Sequence, residues 1–510
     1  MPSTRLSSAQ PAWRFTLLAL ALMPVANSLA AETASPLELP SQAVTATRED
    51  QTGYSASTAS TASKSAVPIM QEAQALQVVT EQVIEDYQVQ SLDDAMKFVS
   101  GISQSNTLAG TQDGFVKRGF GSNADGSILR DGIRSSLSRN FSATTERVEV
   151  LKGPASLLYG ALEPGGLINV ISKQPEYQRR TQVSGETSSE GGGNLMLDTT
   201  GPLGDSGFAY RLIAERQHED YWRNFGADNH TLIAPSLSWS GDDLRITLAY
   251  ERKEYSTPVD RGTVIIKGKP ANTKYNARFN ESWAKAEGTD ELFTAKAEYQ
   301  LNPNWLSRLT YGWNNERYDY AEARPNALNA TTGALSRRAD GSEHENQTQY
   351  LAWDWIGNAS VFGQQHDLLL GMDTEQVDNF RGDTYRGPAV SGFNIYRPVY
   401  GNLAEPSLIS AAQSDRRDEL HSRSLYVKDN WHLNDQWILV AGGRYQHFEQ
   451  LVEQGRGSNY EKTTDRQDNS FLPFGGLVYQ LNQQVSLYGN YSRSFGPNAS
   501  DADTGQAFDP

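Results

Sequence analysis

Apolar residues change their spacing along this chain. Between 66 and 178 two periods are mixed. "SLDDAMKFVSGI" sets Leu92, Ala95, Met96 and Val99 at helical spacing behind Ser91 as N-cap and Asp94 at N3, with a stop at Gly101. "LQVVT", "RVEVL" and "LINVIS" read as strands around it. The stretch "ERVEVLKGPASLLYGALEPGGLINVIS", residues 146 to 172, alternates, turns at Gly153-Pro154 and alternates again. It predicts strand, turn and strand, with Val148, Val150 and Leu151 facing a core and Gly165-Gly166 turning the chain. Together these elements predict an α+β domain of about 110 residues, enough to bury one core.

From about residue 180 every periodic segment has period two. "LRITLAYE" puts Leu244, Ile246, Leu248 and Tyr250 on one face and Arg245, Thr247, Ala249 and Glu251 on the other. "LFTAKAEYQL" and "VSLYGNYS" repeat the pattern. A soluble sandwich shows such alternation too. The connections separate the two readings. Short links near "GDSG", "GDD", "NPN", "NDQ" and "NQQ" alternate with long ones at roughly 217–230, 254–290, 318–345, 379–418 and 450–468. One rim of tight turns, one of large loops, and aromatics near strand ends (Tyr250, Tyr299, Trp305, Trp431, Trp437, Tyr488) predict an antiparallel transmembrane β-barrel of about 13 strands over 180–510.

The first 30 residues carry Arg5 and Arg14 ahead of "FTLLALALMPVA" and small residues at Ser28 and Ala30, the pattern of a secretory signal peptide. Residues 31–65, rich in Ser, Thr and Ala, read as a flexible arm. No later run approaches the roughly 18 apolar residues of a helical span. An exported chain with no cysteine has neither a disulfide framework nor thiolate metal sites. Its net charge of -16 and lack of basic runs exclude nucleic acid as a partner. "GPASLLYG" lacks the Gly-Lys-Ser/Thr ending of a phosphate loop, no Gly-x-Ser-x-Gly elbow occurs, and the seven histidines show no ligand spacing, so no enzyme is expected.

The order of leader, arm, α+β domain and barrel resembles the TonB-dependent outer-membrane receptors for ferric siderophores, of the ferric hydroxamate, coprogen or ferrichrome type. The blocks "VPIMQEAQALQVVTEQVIEDYQVQSLDDAMKFVSGI", "KRGFGS", "ILRDGI" and "ERVEVLKGPASLLYGALEPGGLINVISKQP" carry the resemblance, the last most specifically. It implies a plug domain inside a barrel of about 22 strands. The last strand read, "QVSLYGNYSRSF", is followed by an unfinished loop, so the chain reads as truncated before closure. An open edge in hydrocarbon costs several kcal/mol per unpaired group, so this stretch alone is not expected to insert stably.

The resemblance also implies a TonB box in "LPSQAVTA" (Leu39, Pro40, Ser41, Gln42, Ala43, Val44, Thr45, Ala46), captured by strand addition. It implies a lock between Arg118 and Lys152 of the plug and glutamates of the wall. Substrate contacts are expected from an apex loop, Arg134, Arg139, Asn140 and Phe141, and from barrel-loop aromatics Tyr221, Trp222, Tyr318, Tyr320 and Tyr385. Arg139 resembles the arginine of coprogen-type hydroxamate receptors. An arginine that ferrichrome receptors carry earlier has no counterpart in "QSNTLAGTQDG". Expected partners are a ferric siderophore, TonB of the inner-membrane complex and outer-membrane lipid. No cofactor is expected, since iron would arrive chelated. Receptors for haem, cobalamin or carbohydrate, and a truncated product without function, are the alternatives.

Overall fold

The computed structural model describes residues 53–121, 126–406 and 414–496. The expected leader at 1–30 and the TonB box at 39–46 lie outside these residues.

The N-terminal domain is built on a five-stranded sheet in the order Ala75–Val79, Thr145–Lys152, Gly166–Ser172, Ile128–Arg130, Ile133–Arg134. Val148 and Val150 pack on one face with Leu92, Ala95, Met96 and Val99, while Leu151 packs on the other with Ala155, Leu162 and Leu167. Both faces are therefore covered, and even the charged member of the alternation, Glu149, is fully buried. Its carboxylate accepts from the Ser60 and Thr61 backbone N–H groups at 3.0 and 2.9 Å and from Arg147 Nε at 2.9 Å, which meets the cost of burying it. The helix Leu92–Met96 has the expected cap, Ser91 Oγ accepting from the Asp94 N–H at 3.1 Å, and ends before Gly101. Gly166 sits at φ +119° with room for no Cβ, because one would stand 2.1 Å from the Leu151 carbonyl oxygen.

The second sheet has 14 strands, 13 of them a meander in chain order from Arg180–Thr187 to Val485–Ser492, with Val390–Asn394 paired off the path on Ala334–Val361. No ladder joins the first and thirteenth strands among the described residues. No described helix is long and apolar enough to cross a membrane. The short turns fall where expected. Three of the expected long loops do not: 217–230, 318–345 and 450–468 are mostly strand, in the hairpins Phe208–Asp220/Ala227–Ser240, Trp305–Leu328/Ala334–Val361 and Trp437–Arg456/Asn459–Asn482. A strand of 24 residues such as Trp305–Leu328 reaches about 80 Å, far beyond a hydrocarbon layer of about 25 Å. Beyond the lipid both faces are wet, so apolar alternation stops while the hydrogen-bonded ladder continues.

Alternation fixes which way each side chain points. Leu309, Tyr311, Leu351, Trp353, Leu425 and Val427 form part of an exposed apolar outer belt. Their neighbours on the other face are buried against the plug. Gly312 belongs to that inner face, where a Cβ would come within 2.2 Å of Ile133 Cδ1, so the plug lies directly on the wall.

Candidate functional site

Ion pairs cross from the plug to the wall near the short-turn end. Lys64 Nζ donates to Tyr426 Oη at 2.6 Å and Tyr350 Oη at 3.2 Å, and stands 3.7 Å from Asp354. Burial pushes this ammonium below its ordinary value, while Asp354 and Asp373 favour its charge. Glu72 pairs with Lys428 of the wall at 2.9 Å, and Lys428 Nζ also donates to the Ala62 carbonyl and Ser63 Oγ. Further along, Arg130 pairs with Glu251 at 2.9 Å and Arg134 with Glu375 at 3.1 Å. All of these side chains are mostly buried.

A lock is expected at Arg118 and Lys152. Lys152 Nζ donates within the plug, to Gln77 Oε1 and Ser100 Oγ at 2.8 Å each, and Arg118 is exposed. Among the described residues neither pairs with a wall carboxylate. Both border Gly153, on the turn where the chain leaves the Thr145–Lys152 strand, where Arg118 Nη1 would stand 3.4 Å from an added Cβ.

The apex segment is sewn to the wall mainly by hydroxyl and amide groups. The Ser136 N–H donates to Asn314 Oδ1 at 2.8 Å, and Ser138 donates to Glu316 Oε2 from its N–H at 3.1 Å and from Oγ at 2.7 Å. Glu316 also accepts from Tyr255 Oη at 2.9 Å. The expected apex binders are engaged inside this frame. Arg134 is the buried partner of Glu375. Arg139 is held by Asp113 at 3.1 Å and Asp93 at 3.3 Å, and also donates to the Gly110 carbonyl. Asn140 is buried on Asp113 and the Leu137 carbonyl, and Phe141 packs on the plug core. Burial pushes the Asp93 carboxyl up, against the pull of Arg139.

The barrel aromatics divide into three places. Tyr221 Oη donates to Asp260 at 3.0 Å, and burial with that carboxylate pushes its phenol up to about 12, so it stays a neutral donor. Trp222 is 42% exposed, stacks on Tyr275 at 6.1 Å and carries Arg223 over its ring at 4.5 Å. Tyr320 packs with Ala109 of the plug and Val259 of the loop 259–284, and Tyr385 packs with Ala323, Ala339 and Leu403. Tyr318 is buried and stacks on His344, centroids 4.5 Å apart with planes 1° from parallel. The structure thus brings Tyr318 and Tyr320 to the ring just above the plug and leaves Trp222 at the outer surface of the loops.

Sequence reasoning missed the residues that fix the external loops. Arg278 is fully buried and donates to the Phe225, Val259 and Ala284 carbonyls at 3.0, 2.8 and 2.6 Å. Arg337 on the strand tip binds Glu281 and donates to Asn402 Oδ1 at 2.7 Å, which joins the loops 259–284 and 387–406. It also missed Lys64, Glu72 and Lys428. Charges at lumen-facing positions were the available signal, but spacing does not say which partner each finds.

A meander barrel around a folded domain, tied to it by buried ion pairs, defines a plugged outer-membrane receptor. Residues 68–167 match the TonB-dependent Receptor Plug Domain and residues 231–509 match the TonB dependent receptor-like, beta-barrel family. The chain is 30% identical to the metal-pseudopaline receptor of Pseudomonas aeruginosa over 95% of its own length and 70% of that receptor's. It is 25% identical to the ferrioxamine B receptor of Salmonella typhimurium, with 91% of this chain and 67% of that one covered. Among solved structures, the ferric preacinetobactin receptor of Acinetobacter baumannii superposes with a TM-score of 0.79 at 18% identity, over 90% of this chain and 70% of that one. The chain belongs to the TonB-dependent receptor family of the Gram-negative outer membrane. It is a transport receptor and not an enzyme.

Proposed function

We propose that the protein takes up a ferric siderophore or closely related metal chelate across the outer membrane, driven by TonB. The observation that carries this reading is the plug sewn across the lumen by Lys64, Glu72, Arg130 and Arg134, a seal that a passive pore would not need. The chelate enters from the long-loop side and settles above the apex. TonB captures residues 39–46 and pulls, and the plug yields. Iron arrives chelated, so the protein supplies no resident metal ligand or cofactor.

The hydroxamate class is supported by the resemblance to ferrioxamine-type relatives. Arg139, which suggested that class, spends its donors on Asp93, Asp113 and Gly110, so its part is to shape the apex. A second reading, a metal chelate of another class, is favoured by the 30% identity to a receptor whose name specifies metal-pseudopaline. Deleting residues 39–46 tests the coupling: chelate binding should survive and uptake should stop. Continued uptake would remove the box assignment. Growth on ferric hydroxamates against other metal chelates separates the two readings of the cargo.

A further inference from the structure

Directly paired residues form one row around the lumen above the plug. Tyr318 lies opposite His344, His344 opposite Arg381, and Arg381 opposite Arg416. All four face inward. On the strand Gln364–Arg386, Asp373 meets Arg444, which donates to the plug carbonyl of Leu158, and Glu375 meets the plug's Arg134, so Arg381 shares their face. On Asp415–His432, Tyr426 and Lys428 touch plug residues 62–64 and 72, so Arg416 shares theirs. The row next below holds Asp290, Glu316, Asn346, Asn379 and Asp418, and Glu316 already receives Ser138 of the apex. The two arginines therefore stand one step above the floor of the chamber.

Two cations directly opposite on neighbouring strands repel each other, and an isolated sheet disfavours the arrangement. Asp418 holds Arg416 through two bonds of 2.9 Å each. Arg381 is exposed and makes no ion pair among the described residues. The other side of the wall is opposite in sign. Glu287, Asp319 and Glu343 lie in one directly paired row facing outward, with Arg317 and Glu345 paired beside them. Acid lines the outside of the barrel at this level, while inside it Asp418 offsets Arg416 and Arg381 is left as a cation without a carboxylate partner among the described residues.

We propose that Arg381 and Arg416, beside the stacked Tyr318 and His344, form an anion-recognising shelf, and that the cargo is a chelate that keeps free carboxylate groups after binding its metal. Three hydroxamates neutralise a ferric ion, so a ferric tris-hydroxamate offers the shelf no charge. A carboxylate-rich chelate is anionic and matches the planar guanidinium forks. This inference rests on the receptor reading above and narrows its cargo.

The test measures binding of ferric citrate and of ferrichrome to the whole receptor in detergent, at low and high salt. Ferric citrate should bind the more tightly, and weaken as salt rises. Arg381→Gln should cost about tenfold or more in ferric citrate affinity and leave ferrichrome unchanged, while Arg381→Lys keeps most of the affinity. Thermal melting of each variant separates loss of binding from loss of fold. Ferrichrome binding as tightly as the anionic chelate, absence of ferric citrate binding, or an Arg381→Gln variant with unchanged affinity would each overturn the shelf. None of these outcomes touches the receptor reading, which is tested separately by uptake of chelated metal with and without residues 39–46.

Discussion

The plug meets the wall in two regions built from different chemistry. Near the short turns the contacts are full charges, Lys64 with Asp354 and Glu72 with Lys428, both pairs almost entirely buried. Near the chamber they are mostly serine, asparagine and backbone groups, Ser136 on Asn314 and Ser138 on Glu316. A buried pair is costly to break from one side, because the survivor is left as an uncompensated charge. A hydroxyl contact can be lost for roughly 1 kcal/mol and replaced by water. The seal is thus firm at the short-turn end and compliant at the long-loop end. The charged region also includes Lys64, within the stretch expected to be a flexible arm, whose end instead packs into the plug through Thr58–Ala59 and the buried Thr61, Ala62 and Ser63.

Removing one charge should break this contrast most strongly. Lys428→Met leaves Glu72 buried without its cation and takes donors from the Ala62 carbonyl and Ser63. The expected loss is about 3–5 kcal/mol, read as a lower melting temperature and as faster hydrogen exchange over residues 60–72. Pairing it with Glu72→Leu should recover most of the loss, since no lone charge then remains. A double variant as unstable as the single would show that packing, and not charge, holds this region.

The same contrast explains what could be read in the sequence. Period-two runs, tight turns and the Ser91 cap were legible because each is set by neighbours a few residues apart. The extents of the hairpins at 318–345 and 450–468 were not, since above the lipid no apolar face marks a strand. The alternation in "ERVEVL" marked Val148 and Val150 as core, but Glu149 is buried by Ser60 and Thr61, nearly 90 residues away. Lys152 and Arg118 stand in a motif that suggests a lock, whereas Lys64 stands in a Ser/Thr-rich stretch without one. Its partners at 350, 354 and 426 are set by how the barrel curls, which spacing does not record.

A milder change sharpens the upper region. Ser138→Ala removes one of the donors to Glu316 and leaves the backbone N–H and Tyr255 in place. The expected cost is about 1–2 kcal/mol. Hydrogen exchange should quicken over residues 135–139 while 60–72 stays protected. Equal loosening of both segments would mean that the plug moves as one body.

The smallest effect is expected where the two layers simply touch. Gly312→Ala would bring a Cβ within 2.2 Å of Ile133 Cδ1, too close for both to stay. The obstacle is the end of a flexible side chain and not backbone, so a rotamer change at Ile133 relieves much of it. Overpacking of this kind costs about 1–3 kcal/mol, and alanine returns about 0.5–1 kcal/mol relative to glycine in a strand interior. The net loss should therefore be near 1 kcal/mol, measured by thermal melting. Ile133→Val in the same chain should restore it. A glycine needed for the close approach of the plug predicts that rescue, whereas one needed only for strand geometry predicts no coupling between positions 133 and 312.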